Sequence, residues 1–328
     1  MPNISLEQAR VVDPVATQVV HGYANSQSVA NFVAPVVPVN LRAGKIIKFT
    51  KESFLLTQTR RAPGGRMNRL SVGYSNDEYT IKQHGASAAV PFEQYEEANE
   101  AVQINLRDRA IIRTAAAIEQ SWEQEVTSLL TDATKYEADC QEIAAGTRKF
   151  SDPASDPEKI VNEWAQAIRA QIGTKPNSAV ITSDVYDALR FHPIFRDRVK
   201  YTSDGSVTLD MLSRWLGFSR GIRVSDRVYA TAENQPLVDF MTAGTMVPFF
   251  SPEGDIGAGF LPVDGADNAV PAAFYTYSLT GYPVAIEERY DADTGEYVTD
   301  LFAEQSIQPV GLGANGKIGA AFLATALV

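Results

Sequence analysis

The rhythm of apolar and polar positions divides the chain into unlike stretches. Residues 1–43 mix short apolar runs with Pro14, Pro35 and Pro38 and sustain no period. Those prolines exclude a long helix and predict an extended arm lying on another surface. Two strand-like stretches follow, GKIIKFTK (44–51) and DEYTIKQHGASAAVP (77–91), with Ile46, Phe49, Tyr79 and Ile81 as β-favouring residues. About 25 residues separate them, long for a hairpin in a compact domain. The pattern then turns helical. Ile104, Ile111, Ala115, Ile118, Trp122, Val126, Leu129 and Ala133 recur at the spacing of one helical face. Arg107, Arg109, Arg113, Glu119, Glu123 and Glu125 fill the other positions. With Asn105 as N-cap this predicts a helix of about 30 residues, roughly 45 Å long.

The connector YEADCQEIAAGTRKFSDPASD breaks regular structure. Asp156 then caps a helix with Pro157 in its first position and Gly173 at its end. SAVIT (178–182) reads as a buried strand, followed by a helix N-capped by Ser183. A second capped helix runs from Thr208 to Gly217, and IRVSDRVYATA reads as a strand. The remainder turns to strands in VDFMTAGTMVPFF, AAFYTYSL, YPVAIEERY and GEYVTDLFA. The expected fold class is α+β, with an arm, a long loop, a spine helix and a mixed α/β lobe.

Composition narrows the function. The chain has 328 residues, 45% hydrophobic and 21% charged, as a folded protein with a sizeable core requires. Its net charge of −11 argues against a protein that coats nucleic acid. A single cysteine, Cys140, excludes an internal disulfide framework and a cysteine-based zinc site. MPNISLEQARVVDP has no basic segment leading into an apolar run, so no signal peptide is expected, and no stretch is apolar enough to span a membrane.

The chemical motifs are weaker than they first look. GLGANGKI (311–318) has the spacing of a phosphate loop, but Ile318 stands where a magnesium-holding hydroxyl belongs. The chain also ends too soon for the helix and strand that a nucleotide site needs. A glycine-rich turn between terminal strands is expected instead. DADTGE (291–296) reads as a hairpin tip with Gly295 at positive φ rather than a calcium loop. His21, His84 and His192 form no metal-ligand pair, and His192 is expected at a helix end ahead of Pro193. Cys140 has no nucleophile signature and reads as a small hydrophobe or an exposed thiol. No catalytic, cofactor or metal residue is expected. One charge pattern stands out: the loop between the two strands carries Arg60, Arg61, Arg66 and Arg69 and no acid, while Glu93, Glu96, Glu97 and Glu100 lie just before the long helix. These charges read either as two solvated faces or as contacts between subunits, the loop of one lying across the acidic segment of the next.

The order of these parts resembles the major capsid proteins of tailed bacteriophages, whose fold is named after phage Hong Kong 97. DEYTIKQHGASAAVPFEQYEEAN looks like the returning strand of that family's extended loop and the entry to its spine helix, and DRAIIRTAAAIEQSWEQEVTSLL like the spine itself. PNSAVITSDVYDALRFHPIFRDRVKYT is similar to the axial lobe, and PVAIEERYDADTGEYVTDLFAEQSIQPVGLG to the late strands that return to the peripheral domain. The resemblance implies an N-terminal arm (1–43), an extended two-stranded loop (44–91), a peripheral domain with spine helix (92–150), an axial α/β domain (151–281) and late strands (282–328). It implies a structural, non-enzymatic protein that self-assembles through pentamers and hexamers into an icosahedral shell around double-stranded DNA. That DNA is enclosed without sequence-specific binding. A scaffolding protein, a portal and a decoration protein are the implied partners, with synthesis in the host bacterial cytoplasm and residence in the virion capsid. No cofactor and no membrane are implied. The alternative is an encapsulin, a bacterial nanocompartment shell of the same fold.

Overall fold

The computed structural model describes residues 28–45, 78–94, 106–200, 206–232, 235–252, 272–285, 288–313 and 315–328. At its N-terminal end the described chain is already part of the body. α1 (Ala30–Val33) lies between Val29 and Ala34, and Val29, Ala30, Val33 and Ala34 are all buried in the main core. Arg220 stacks over Phe32 at 4.6 Å, and Phe32 meets Phe249 edge-on at 5.8 Å. β1 (Val36–Val39) then pairs in parallel with Phe274–Leu279. The arm expected through residue 43 therefore does not lie on another surface over these residues. Its valines and alanines find apolar partners within their own chain.

β2 (Ala43–Lys45) pairs antiparallel with β3 (Glu78–Thr80), joining the two strand-like stretches at the root of the long loop. The loop itself, residues 46–77, lies outside the described residues. β4 (Lys82–Pro91) continues from β3. The long helix is α2 (Leu106–Thr131), 26 described residues or about 39 Å. Ile111, Ala115 and Ile118 pack on Leu301 and Ala303, and Trp122, Val126 and Leu130 enter the main core. Leu130 is fully buried where the pattern pointed to Leu129, because steps of four from Trp122 reach 126 and 130. Glu123, one of the charges filling the positions between the apolar ones, is also fully buried.

The connector after α2 holds three short 3-10 turns and a strand, β5 (Gln141–Ile143). Buried Tyr136 donates from its hydroxyl to the Leu130 carbonyl at 2.8 Å, fastening the helix end. α3 (Pro157–Ile172) has the expected caps: Asp156 accepts from the Lys159 amide, and Gly173 closes the helix at φ 79°. β6 (Ser178–Thr182) is buried along its whole length. α4 (Ser183–Phe191) starts one residue earlier than expected, with Thr182 before it and Ser183 inside. Asp184 does the polar work there, accepting from the Val185 amide at 2.9 Å and the Gly244 amide at 2.6 Å. α5 (Pro193–Val199) follows, with His192 at the junction. α6 (Leu209–Leu216) is capped by Thr208 and ended by Gly217 at φ 83°, as expected.

The stretch read as one strand, IRVSDRVYATA, divides into β7 (Gly221–Ser225) and β8 (Val228–Tyr229), which belong to different sheets. β8 pairs with β9 (Val238–Asp239) in a small ribbon. β10 (Met246–Phe249) is wholly buried. β11 (Phe274–Leu279), β12 (Val284–Ala285), β13 (Arg289–Asp291), β14 (Glu296–Pro309) and β15 (Leu323–Thr325) complete the chain.

One sheet is organised around β14, whose 14 residues pair with β4 along one edge and with β13, β12 and β11 along the other. α2 crosses this sheet. The other sheet runs β5-β15-β10-β6-β7 and is flanked by the shorter helices. Phe150, Trp164 and Phe322 stack in its core, with Trp164 and Phe322 nearly parallel at 5.3 Å.

Candidate assembly surface

The residues with chemistry are spread along edges and tips rather than gathered in a cleft. At the root of the long loop, Arg42 makes two 2.8 Å hydrogen bonds to the carboxylate of buried Glu304. The hydrogen bonds and charge of Glu304 hold the guanidinium more strongly protonated than usual. Tyr79 stacks on Tyr277 at 4.8 Å and donates to the Leu41 carbonyl at 3.2 Å. Burial raises the pKa of both phenols. A Cβ on Gly44 would stand 2.7 Å from the Tyr79 ring, so glycine lets β2 approach this stack. Lys82 reaches Glu125 on α2 at 2.5 Å, and His84 lies 3.8 Å from the same carboxylate. The loop thus leaves the body from an anchored base.

At the far end of the same sheet is the β13–β14 hairpin tip. Gly295 has φ 71° and donates to the Asp291 carbonyl at 2.8 Å, as the DADTGE reading requires. Phe92, Tyr290 and Tyr297 cluster beside it with centroids 5.3–6.3 Å apart. Tyr290 is 54% exposed, and Asp293 and Glu93 are exposed next to it. An exposed aromatic in a hairpin tip with exposed acids nearby in sequence is a candidate contact surface. Of the expected inter-subunit residues, Glu93 sits here. Arg60, Arg61, Arg66, Arg69, Glu96, Glu97 and Glu100 lie outside the described residues.

Between tip and root, β4 pairs on one side only among the described residues. A groove of about 590 Å³ lies between it and α2, lined among others by Ala86, Ala88, Ala110, Thr114, Arg109 and Arg113. Elsewhere Phe191, at the α4–α5 turn, is 61% exposed, and Leu237, just before β9, is 67% exposed.

A feature missed in the sequence joins three of these regions. The carboxylate of Glu123 accepts from the Val29 amide at 3.1 Å and pairs with Arg227, which also lies 3.8 Å from Glu119. The N-terminal segment, the long helix and the root of the ribbon therefore meet on one buried acid. Nothing in the sequence marked it, since Glu123 has ordinary helical charge spacing and Arg227 lies more than a hundred residues away.

The isolated candidates resolve as structural. In GLGANGKI, Leu312 and Ile318 pair in an antiparallel bridge and Gly316 has φ 73°, a turn geometry among the described residues. Cys140 is buried. His192 caps α5: its Nδ1 accepts from the Ile194 amide at 3.4 Å, and its Nε2 lies 3.0 Å from Ser155 Oγ. Among the described residues no three His, Cys, Asp or Glu side chains could hold a metal, and no helix is long and apolar enough to cross a membrane.

Comparison with known proteins gives a consistent result along the whole chain. The chain is 29% identical over 313 residues to the major capsid protein of Burkholderia phage BcepMu, covering 94% of this chain and 96% of that one. A phage-related protein from Bordetella bronchiseptica has the same fold with a TM-score of 0.74 at 27% identity, covering 97% of this chain and 98% of its own. A structure from Mycobacterium phage Adephagia aligns with a TM-score of 0.53 at 11% identity, over 93% and 92% of the two chains. No family model matches the sequence.

Proposed function

We propose that this chain is a phage major capsid protein with the Hong Kong 97-like fold, whose copies close a shell around DNA by contacts made through the surfaces described above. Its role is structural rather than enzymatic, and copies of it form the virion shell. The observation that carries this is sequence likeness to a phage major capsid protein from end to end, not fold alone. That likeness favours a phage shell over an encapsulin.

In the finer reading, pentamers and hexamers tile an icosahedral shell, with the sheet β5-β15-β10-β6-β7 and its helices around the local axes and the sheet around β14, with α2, at the periphery; β5 and β15 then go with the axial part and β11 with the peripheral one, across the bounds expected at 150, 281 and 282. Of the expected loop of residues 44–91, the stretch between β2 and β3 leaves a base at Arg42 and Tyr79 and lies over a neighbour, while β4 returns into the subunit's own sheet. Arg60, Arg61, Arg66 and Arg69 of one copy meet Glu93, Glu96, Glu97 and Glu100 of the next. The acid-free composition of residues 53–76 and the exposure of Glu93 and Asp293 support this pairing. Single exposed ion pairs contribute about 0–1 kcal/mol, so the contact matters by repetition around the shell. The −11 net charge suits a wall that encloses DNA without gripping it. A scaffolding protein and a portal complete the assembly, with or without a decoration protein, and the protein is made in the host bacterial cytoplasm.

Expression with and without the phage's scaffolding protein tests the reading. Scaffold-dependent closed shells, with tubes or aggregates in its absence, are expected. Uniform small shells that form unaided around a cargo enzyme would instead favour the encapsulin.

A further inference from the structure

The GLGANGKI turn has a partner that the shell function does not explain. Glu137, in the connector just after α2, is only 3% exposed. Its Oε1 accepts from the backbone N–H of Asn315 at 2.8 Å and of Lys317 at 3.3 Å, and its Oε2 accepts from Asn315 Nδ2 at 2.7 Å. Converging N–H donors at a glycine-rich turn are the arrangement by which backbone nests hold phosphates and other anions. The fit is close on the other side too: a Cβ on Gly313 would stand 2.5 Å from Glu137 Cγ and 2.7 Å from Oε1. Only glycine admits the carboxylate there. The backbones on either side are stitched as well, Glu137 N–H to the Ile318 carbonyl at 3.1 Å and Ile318 N–H to the Lys135 carbonyl at 2.8 Å. Ile318, the residue that spoils the nucleotide motif, is buried in the core.

We infer that this turn is an anion-binding nest whose resident ligand is the chain's own Glu137 carboxylate, and that the pair latches the C-terminal segment to the end of the long helix. The phosphate-loop spacing of the sequence then has a physical cause without a nucleotide: both arrangements need glycines so that backbone amides can close on an oxyanion. What the latch holds is substantial, because β15 follows directly and pairs with both β5 and β10 in the second sheet. The chemical class the emptied nest would accept is a small carboxylate.

Glu137→Ala removes the atoms of one acetate ion. Thermal unfolding of the full-length variant, with sodium acetate replacing sodium chloride at constant ionic strength, should show a Tm several degrees below the parent's. That Tm should recover saturably in acetate, while the parent responds to the two salts alike. An unchanged Tm, or equal effects of acetate and chloride on the variant, overturns the inference. Should the variant not fold, Glu137→Gln keeps the shape and removes the charge. Backbone hydrogen exchange at Asn315 and Lys317 should then be at least tenfold faster than in the parent, and unchanged rates overturn the inference equally.

Discussion

Glu123 is the residue whose environment departs furthest from its sequence context. A carboxylate with no exposed surface in the middle of a helix is stable only because Arg227 and the Val29 amide reach it. Removing one partner of a buried pair costs more than the pair contributes, since the remaining charge has no solvent to turn to. Arg227→Ala should therefore destabilise the subunit by about 3–5 kcal/mol in denaturant unfolding. A loss within experimental error of zero would mean that water or another group already satisfies Glu123. Glu142 makes a different prediction. Burial alone would raise its pKa, but hydrogen bonds from Arg148 and Trp164 and the Arg148 charge together leave it below the usual carboxylate value. A depressed folded-state pKa contributes stability that is present above the unfolded value, near 4.3, and is lost as pH falls through the folded one. Stability should decline in acid, and Glu142→Gln should flatten that decline when unfolding is followed from neutral pH down to about pH 3. An acid limb of unchanged steepness in the variant would assign the loss to other carboxylates.

Elements were legible where local pattern and tertiary packing agree. The caps at Asp156, Gly173, Thr208 and Gly217 were readable because capping is decided within a few residues of sequence. The long helix was readable from its period, yet its phase drifted by one residue near the C-terminal end, where the structure buries Leu130 and leaves Leu129 half-buried. Either leucine satisfies a helical stripe; only the neighbours decide. Leu130→Ala should cost about 2–5 kcal/mol, as full burial requires, and Leu129→Ala less than half as much. The reverse order in denaturant unfolding would put the helix in the other phase. Less was readable where one run of apolar residues serves two sheets. IRVSDRVYATA has continuous strand character, but Asp226 and Arg227 turn the chain toward Glu123 and split it into β7 and β8. The connector gave no strand signal, because Gln141–Ile143 is a short edge whose pairing to β15 comes from the opposite end of the chain. Of the candidate surface, the DADTGE tip was readable from its turn residues. The aromatic cluster beside it was not, since Phe92 follows β4 and lies about two hundred residues away in sequence.

For the whole molecule, the surfaces left open among the described residues are the candidates for contact between copies: the tip with Tyr290, the edge of β4 paired on one side, the groove between β4 and α2, and Leu237 beside the ribbon. If charge pairing between loop and acidic segment helps hold copies together, salt should weaken assembly before it weakens the fold, because exposed pairs are screened while cores are not. Replacing Arg60, Arg61, Arg66 and Arg69 together by serine should reduce the yield of assembled particles and leave subunit unfolding within about 0.5 kcal/mol of the parent. Equal loss of assembly and stability would place those arginines in the fold rather than the contact. The most direct measurement is electron microscopy of the purified full-length chain together with its scaffolding protein, supported by sedimentation of the same sample. The account predicts closed shells or their hexameric and pentameric precursors, and a chain that stays a compact monomer at high concentration under those conditions would contradict it.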